Sequence, residues 1–82
     1  MTDTKLLETV IRKHGYKLKW LAAQIGLTYQ GLRNKMDNKR EFTASEISAL
    51  SAVLDIDLQL TKDIFFASVV DKKSTNRQRK EE

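Results

Sequence analysis

Apolar positions recur at helical spacing from one end of the chain almost to the other. Leu6, Leu7, Val10 and Ile11 form the first stripe, and the spacing predicts a helix over residues 3–14. Gly15 follows, a residue suited to the left-handed conformation that closes helices. Leu18, Leu21, Ala22 and Ile25 mark a short second helix, about residues 18–25, stopped at Gly26. Leu27 and Thr28 connect it to a third helix over 29–36, with Leu32 and Met36 facing inward. Thr28 is a suitable N-cap, because its hydroxyl accepts a backbone N–H of the new first turn. Asp37 and Asn38 then turn the chain, Asn being tolerant of positive φ.

Thr43, Ala44, Ser45 and Glu46 spell a capping box, opening a fourth helix over 44–54. Its inner face is Ile47, Leu50, Val53 and Leu54. Asp55, Ile56 and Asp57 form a connector. A last helical turn or two is expected between Leu58 and Ala67, holding Leu60, Ile64 and Phe65. The apolar run from Ile64 to Val70 also suits a short strand. One phenyl of Phe65 and Phe66 is expected to close the core, and the other to remain exposed. From Asp71 onward no apolar residue occurs, which is the composition of a disordered tail. The domain is therefore placed at residues 1–70 and a basic tail at 71–82.

Composition supports this all-α reading. The 82 residues contain no proline, no cysteine, three glycines and one histidine. Disulfides, thiolate metal ligands, a cysteine nucleophile and a multi-histidine metal site are thereby excluded. No apolar run approaches the roughly 20 residues of a membrane span, and the N-terminus lacks a signal-peptide core. A cytoplasmic location is expected. There is no phosphate-cradling glycine loop and no nucleophile–base pair, so catalysis and a cofactor are not expected. No small-molecule site is evident.

Charge changes the picture more. The net charge is only +4, but Arg12 to Arg40 holds eight bases against Asp37 alone, or +7. Glu41 to Asp71 holds six acids against Lys62, or −5. Such polarity is the electrostatic footprint of a polyanion binder. Binding to RNA lacks an evident aromatic stacking platform.

The segment from Leu18 to Met36, LKWLAAQIGLTYQGLRNKM, reads as a helix, a glycine corner and a second helix with a polar first turn. Ala22 sits where a small side chain fits between helices, and Gly26 takes the turn. The chain resembles the five-helix helix-turn-helix domains of phage repressors, the lambda repressor and Cro type, over roughly residues 3–57. It is most similar to small prophage-type regulators in which Lys-(Ile/Leu)-Asn-Gly-Lys-x-x-Phe-(Thr/Ser)-x-x-Glu-Ile follows the recognition helix. Here that stretch runs from Lys35 to Ile47, with Phe42, Thr43, Glu46 and Ile47 in place. Asp37-Asn38 stands where the family has Asn-Gly, Tyr29 heads the recognition helix, and Gly31 lies within it.

The resemblance implies a sequence-specific regulator of double-stranded DNA, a phage or mobile-element repressor reading the major groove with the third helix. Tyr29, Gln30, Arg33 and Asn34 would touch base edges. Gln30 and Asn34 suit bidentate pairing with adenine, and Arg33 suits guanine or a phosphate. Lys17, Lys19, Thr28, Lys35, Lys39 and Arg40 would contact phosphates. A homodimer through the last helix and the segment Phe65 to Val70 would fit a two-fold operator. The competing reading is a protein-interaction module on the same fold, antitoxin-like or anti-repressor. Trp20 is expected to pack on a flank, and His14 to serve the C-terminal dipole of the first helix.

Overall fold

A computed structural model describes residues 1–67. The described residues form five helices: α1 (Thr4–His14), α2 (Leu18–Gln24), α3 (Tyr29–Met36), α4 (Ala44–Leu54) and α5 (Leu58–Phe65). No strand occurs among them, so Ile64 and Phe65 are helical. The expected tail at 71–82, and the apolar residues at 68–70, lie outside the described residues.

Local signals explain each boundary. Asp3 proves to be the N-cap of α1 and not its first helical residue. Its carboxylate accepts the Leu6 N–H at 3.1 Å. Gly15 closes α1 at φ 74°, in the left-handed region. Ile25 caps α2 instead of extending it, and Gly26 turns the chain at φ 77°. The Leu27 N–H then donates back to the Ala22 carbonyl at 2.8 Å. The Thr43 hydroxyl accepts the Glu46 N–H at 3.2 Å, and the Glu46 carboxylate accepts the Thr43 N–H at 2.9 Å. Asp57 caps α5 by accepting the Leu60 N–H at 2.8 Å.

The core is one cluster drawn from all five helices: Leu7, Val10 and Ile11 of α1, Leu21 and Ala22 of α2, Leu32 and Met36 of α3, Leu50 and Leu54 of α4, and Ile64 and Phe65 of α5. α2 packs on α3, α4 on α5, and α1 lies against both α4 and α5. Phe65 is 4% exposed and meets Phe42 edge-on, with ring centroids 5.2 Å apart, while Phe66 remains 44% exposed. The two phenyls therefore divide as their sequence suggests. Leu6 only packs on the rim of the core.

The N-terminal residues form a strap not visible in the sequence. The Thr2 N–H donates to Asn38 Oδ1 at 2.8 Å, and Asn38 Nδ2 donates to the Thr2 carbonyl at 2.9 Å. The Asp3 N–H donates to the Ile64 carbonyl at 2.6 Å, and the Thr4 hydroxyl donates to the Met36 carbonyl. The strap thus joins the C-terminal ends of α3 and α5. It also gives Asn38 a role beyond turning the chain. Asn38 sits at φ 66°, and its amide makes two bonds that glycine cannot make.

Asn38→Gly keeps the backbone but loses both side-chain bonds, at about 1–3 kcal/mol. Asn38→Ala loses the same bonds and adds left-handed strain of about 1 kcal/mol. Urea unfolding should rank wild type above the glycine variant and the glycine variant above the alanine variant. Equal stability of all three would show that the strap contributes nothing.

Candidate nucleic-acid interface

α3 owes its geometry to its start. The Thr28 hydroxyl accepts the Gly31 N–H at 3.0 Å. A Cβ on Gly31 would come within 3.1 Å of that hydroxyl oxygen. Glycine therefore leaves room for the cap, which sets against its helix penalty of about 1 kcal/mol. Leu32 and Met36 are fully buried, which fixes the opposite ridge of α3 outward. On that ridge Gln30 Nε2 donates to Asn34 Oδ1 at 2.9 Å. Two of the four expected base contacts are thus already coupled to each other. Tyr29 heads the helix at 48% exposure.

Arg33 is placed differently. Its guanidinium makes a fork on Asp37, with Nε to Oδ2 at 3.1 Å and Nη2 to Oδ1 at 2.7 Å. Nη2 also donates to Glu8 Oε2 of α1 at 2.8 Å. The Asp37 hydrogen bond, and then that of Glu8, raise the Arg33 pKa further above its ordinary value. The same bond from Arg33 holds the Asp37 carboxyl below its ordinary range. Arg33, expected at guanine or a phosphate, therefore lies on the flank facing α1, engaged by carboxylates, and not on the Gln30–Asn34 ridge.

Lys35 faces the other flank. Its ammonium donates to both Glu46 oxygens, at 2.6 and 2.8 Å. The two side chains are only 14% and 15% exposed. Burial pushes the Glu46 carboxyl upward, but hydrogen bonds from Lys35 and from the Thr43 backbone outweigh it and leave the value lowered. Glu46 thus serves the α4 capping box and Lys35 together. The expected phosphate role of Lys35 meets an ion pair already formed.

Both lowered carboxyls bear on acid stability. Their contribution is complete above the ordinary carboxylate range, near pH 4, and is lost as pH falls through the lowered folded-state values. Melting temperature should hold between about pH 7 and 5 and fall below about pH 4. Glu46→Gln should flatten part of that fall. An unchanged acid limb in that variant would refute the role of Glu46.

The remaining phosphate candidates are open. Lys17, Lys19, Thr28, Lys39 and Arg40 are all exposed. The four basic ones make no ion pair among the described residues. Lys17 is the N-cap residue of α2, Lys19 lies in its first turn, and Lys39 and Arg40 follow α3. The Lys39 N–H donates to the Asn34 carbonyl at 2.9 Å, tying that loop to the α3 terminus.

Sequence reading missed one group. The His14 and Tyr16 rings stack with centroids 5.1 Å apart, and Tyr16 meets Trp20 at 4.7 Å. Trp20 does pack on a flank, yet it keeps 45% exposure. This short aromatic ladder stands where no stacking platform was expected. Only the i, i+2 and i, i+4 spacing of His14, Tyr16 and Trp20 hinted at it. Among the described residues no cluster of potential metal ligands occurs. No helix among them is long and apolar enough to cross a membrane.

Comparison of the chain with protein-family models, with curated proteins and with solved structures finds no match to any of them.

Proposed function

We propose that this chain is a sequence-specific double-stranded DNA-binding transcriptional regulator, a Cro-like repressor of phage or mobile-element type. In this reading α2 and α3 are a helix-turn-helix pair within a lambda-repressor-like domain, and α3 enters the major groove. The observation that carries the reading is the outward ridge of α3. Gln30 and Asn34 are held side by side by their own hydrogen bond. Exposed cations follow α3 at Lys39 and Arg40, whose N–H groups donate to the Asn34 carbonyl, and others stand at the start of α2, Lys17 and Lys19. Amides of this kind pair with adenine edges, and such cations straddle phosphates. Tyr29 is the third base-edge candidate. Operator occlusion is the mechanism, in the cytoplasm, with no cofactor and no catalytic step.

The test is selection from a pool of random duplexes at two salt concentrations, run on wild type and on Gln30→Ala with Asn34→Ala. An enriched, salt-sensitive motif that the double variant loses supports the reading. Motif-free binding that is equal in both proteins would sink it.

A second reading has its own observation. An open groove between α4 and α5 is lined by Ala44, Ile47, Ile56, Leu58 and Phe66, and Leu58 is 76% exposed. Such a surface suits a partner protein or a second copy of the chain. The homodimer of the leading reading would use α5 and the segment from Phe65 to Val70. An antitoxin-like or anti-repressor module would use the groove without DNA. Tight protein binding with no salt-sensitive DNA binding would favour that module.

A further inference from the structure

We propose that Glu8 of α1 and Glu46 of α4 are positioning residues for α3, holding it from opposite flanks so that the Gln30–Asn34 ridge is set for reading. This rests on the reading of α3 as the DNA-contacting helix. It also assigns Arg33 and Lys35 as the handles by which α3 is gripped and not as DNA contacts.

Positions 33 and 35 lie two residues apart, and so on nearly opposite sides of a helix. Arg33 reaches Glu8 at 2.8 Å on the α1 side, and Lys35 reaches Glu46 at 2.6 Å on the α4 side. Leu32 and Met36 anchor the inner side between them. Leu32, Met36 and the Thr4 bond to the Met36 carbonyl hold the inner side and the C-terminal end of α3, and roll about the helix axis is opposed from its flanks. Two lateral ion pairs oppose that roll in both directions. Isolated surface pairs contribute little, but forked and networked pairs are the exception. Arg33 has a fork on Asp37 with Glu8 on the same nitrogen, and the Lys35 pair is largely covered. Rolling α3 would carry Gln30 and Asn34 away from a base edge, and hydrogen bonds weaken steeply with misalignment.

The variants are Glu8→Gln, Glu46→Gln and the two combined. Glutamine at 46 preserves the capping box, which accepts Gln as well as Glu. Circular dichroism confirms folding. Affinity is measured over a salt series for the duplex that wild type selects and for a scrambled duplex. The expected result is a specific affinity lowered about five- to ten-fold per variant, with scrambled binding and the salt slope unchanged. Two outcomes overturn the proposal while leaving the DNA reading intact. In one, affinity for both duplexes rises with a steeper slope, because the freed cations bind phosphates. In the other, folded variants keep full specific affinity. If wild type selects no duplex, the DNA reading itself fails and this proposal falls with it.

A second measurement needs no variant. Exchange of the Arg33 Nη2–H, the group that reaches Glu8, is followed in wild type, free and bound to the selected duplex, beside its contacts to Glu8. Protection and contacts retained in the complex support the clasp. Their loss on binding overturns it.

Discussion

Alanine at both Gln30 and Asn34 is expected to abolish selection of a duplex motif while leaving the protein folded. Each good bidentate amide–base pair discriminates by about 1–3 kcal/mol. Losing two should weaken specific binding by roughly two orders of magnitude or more. Binding to scrambled DNA should be unchanged, because in the proposed DNA reading the cations at Lys17, Lys19, Lys39 and Arg40 remain and supply the sequence-independent attraction. Stability should be nearly unchanged as well. The Gln30–Asn34 hydrogen bond lies on an exposed helix face, and such pairs contribute only about 0.2–0.5 kcal/mol. The measurement is a titration of both proteins against selected and scrambled duplexes, with melting curves beside it. Parallel loss on both duplexes would assign these residues to general affinity. No loss would remove α3 as the reader.

The largest stability effect is expected at Leu50→Ala. Leu50 is fully buried in α4, the helix that packs on both α1 and α5. Truncating such a leucine costs about 2–5 kcal/mol, the spread reflecting how far the surroundings collapse into the cavity. A small domain holds only about 5–15 kcal/mol in total. At about 4–8 °C per kcal/mol, the melting temperature should drop by about eight degrees or more. Urea unfolding should show the same loss as a shift in midpoint with an unchanged slope. Below its melting temperature the variant should retain motif selection, since Leu50 lies on α4 and not on α3. A drop of less than 1 kcal/mol would mean that the core relaxes around position 50. Lost selection in a folded variant would mean that core packing sets the pose of α3.

The helices were legible because their signals are local. The stripes Leu7–Val10–Ile11 and Leu50–Leu54 repeat at the helical period. Caps at Thr28, Thr43 and Gly15 sit where their chemistry works with neighbours three or four residues away. Boundaries drifted only where a capping residue resembles a helical one. Asp3 is outside α1, and Ile25, although apolar, closes α2. Phe65, the last residue of α5, is buried, and Phe66, its C-cap, is exposed, as the pair of adjacent phenyls suggested. The ridge Gln30–Asn34 was equally legible, since burying Leu32 and Met36 leaves it no other direction.

Arg33 and Lys35 mark the boundary of that method. Charge counting places both in the basic segment, and the resemblance to phage repressors offers them as DNA ligands. The carboxylates that they meet within the fold, Glu8 and Glu46, are 25 and 11 residues away in the chain, and no local pattern encodes such a pairing. Asn38 reads as a turn residue, while its two bonds to Thr2, 36 residues away, exist only once α3 and the N-terminus meet. The aromatic ladder of His14, Tyr16 and Trp20 likewise depends on the angle that the chain takes at Gly15. The sequence by itself determined which residues form helices, which side of each is buried, and where positive charge is concentrated. Those properties follow from backbone hydrogen bonding and apolar periodicity over a few residues. Only the tertiary structure decided which cations are held by carboxylates among the described residues. Charge pairing depends on distances across the packed core, and there the order of residues along the chain no longer sets who is near whom.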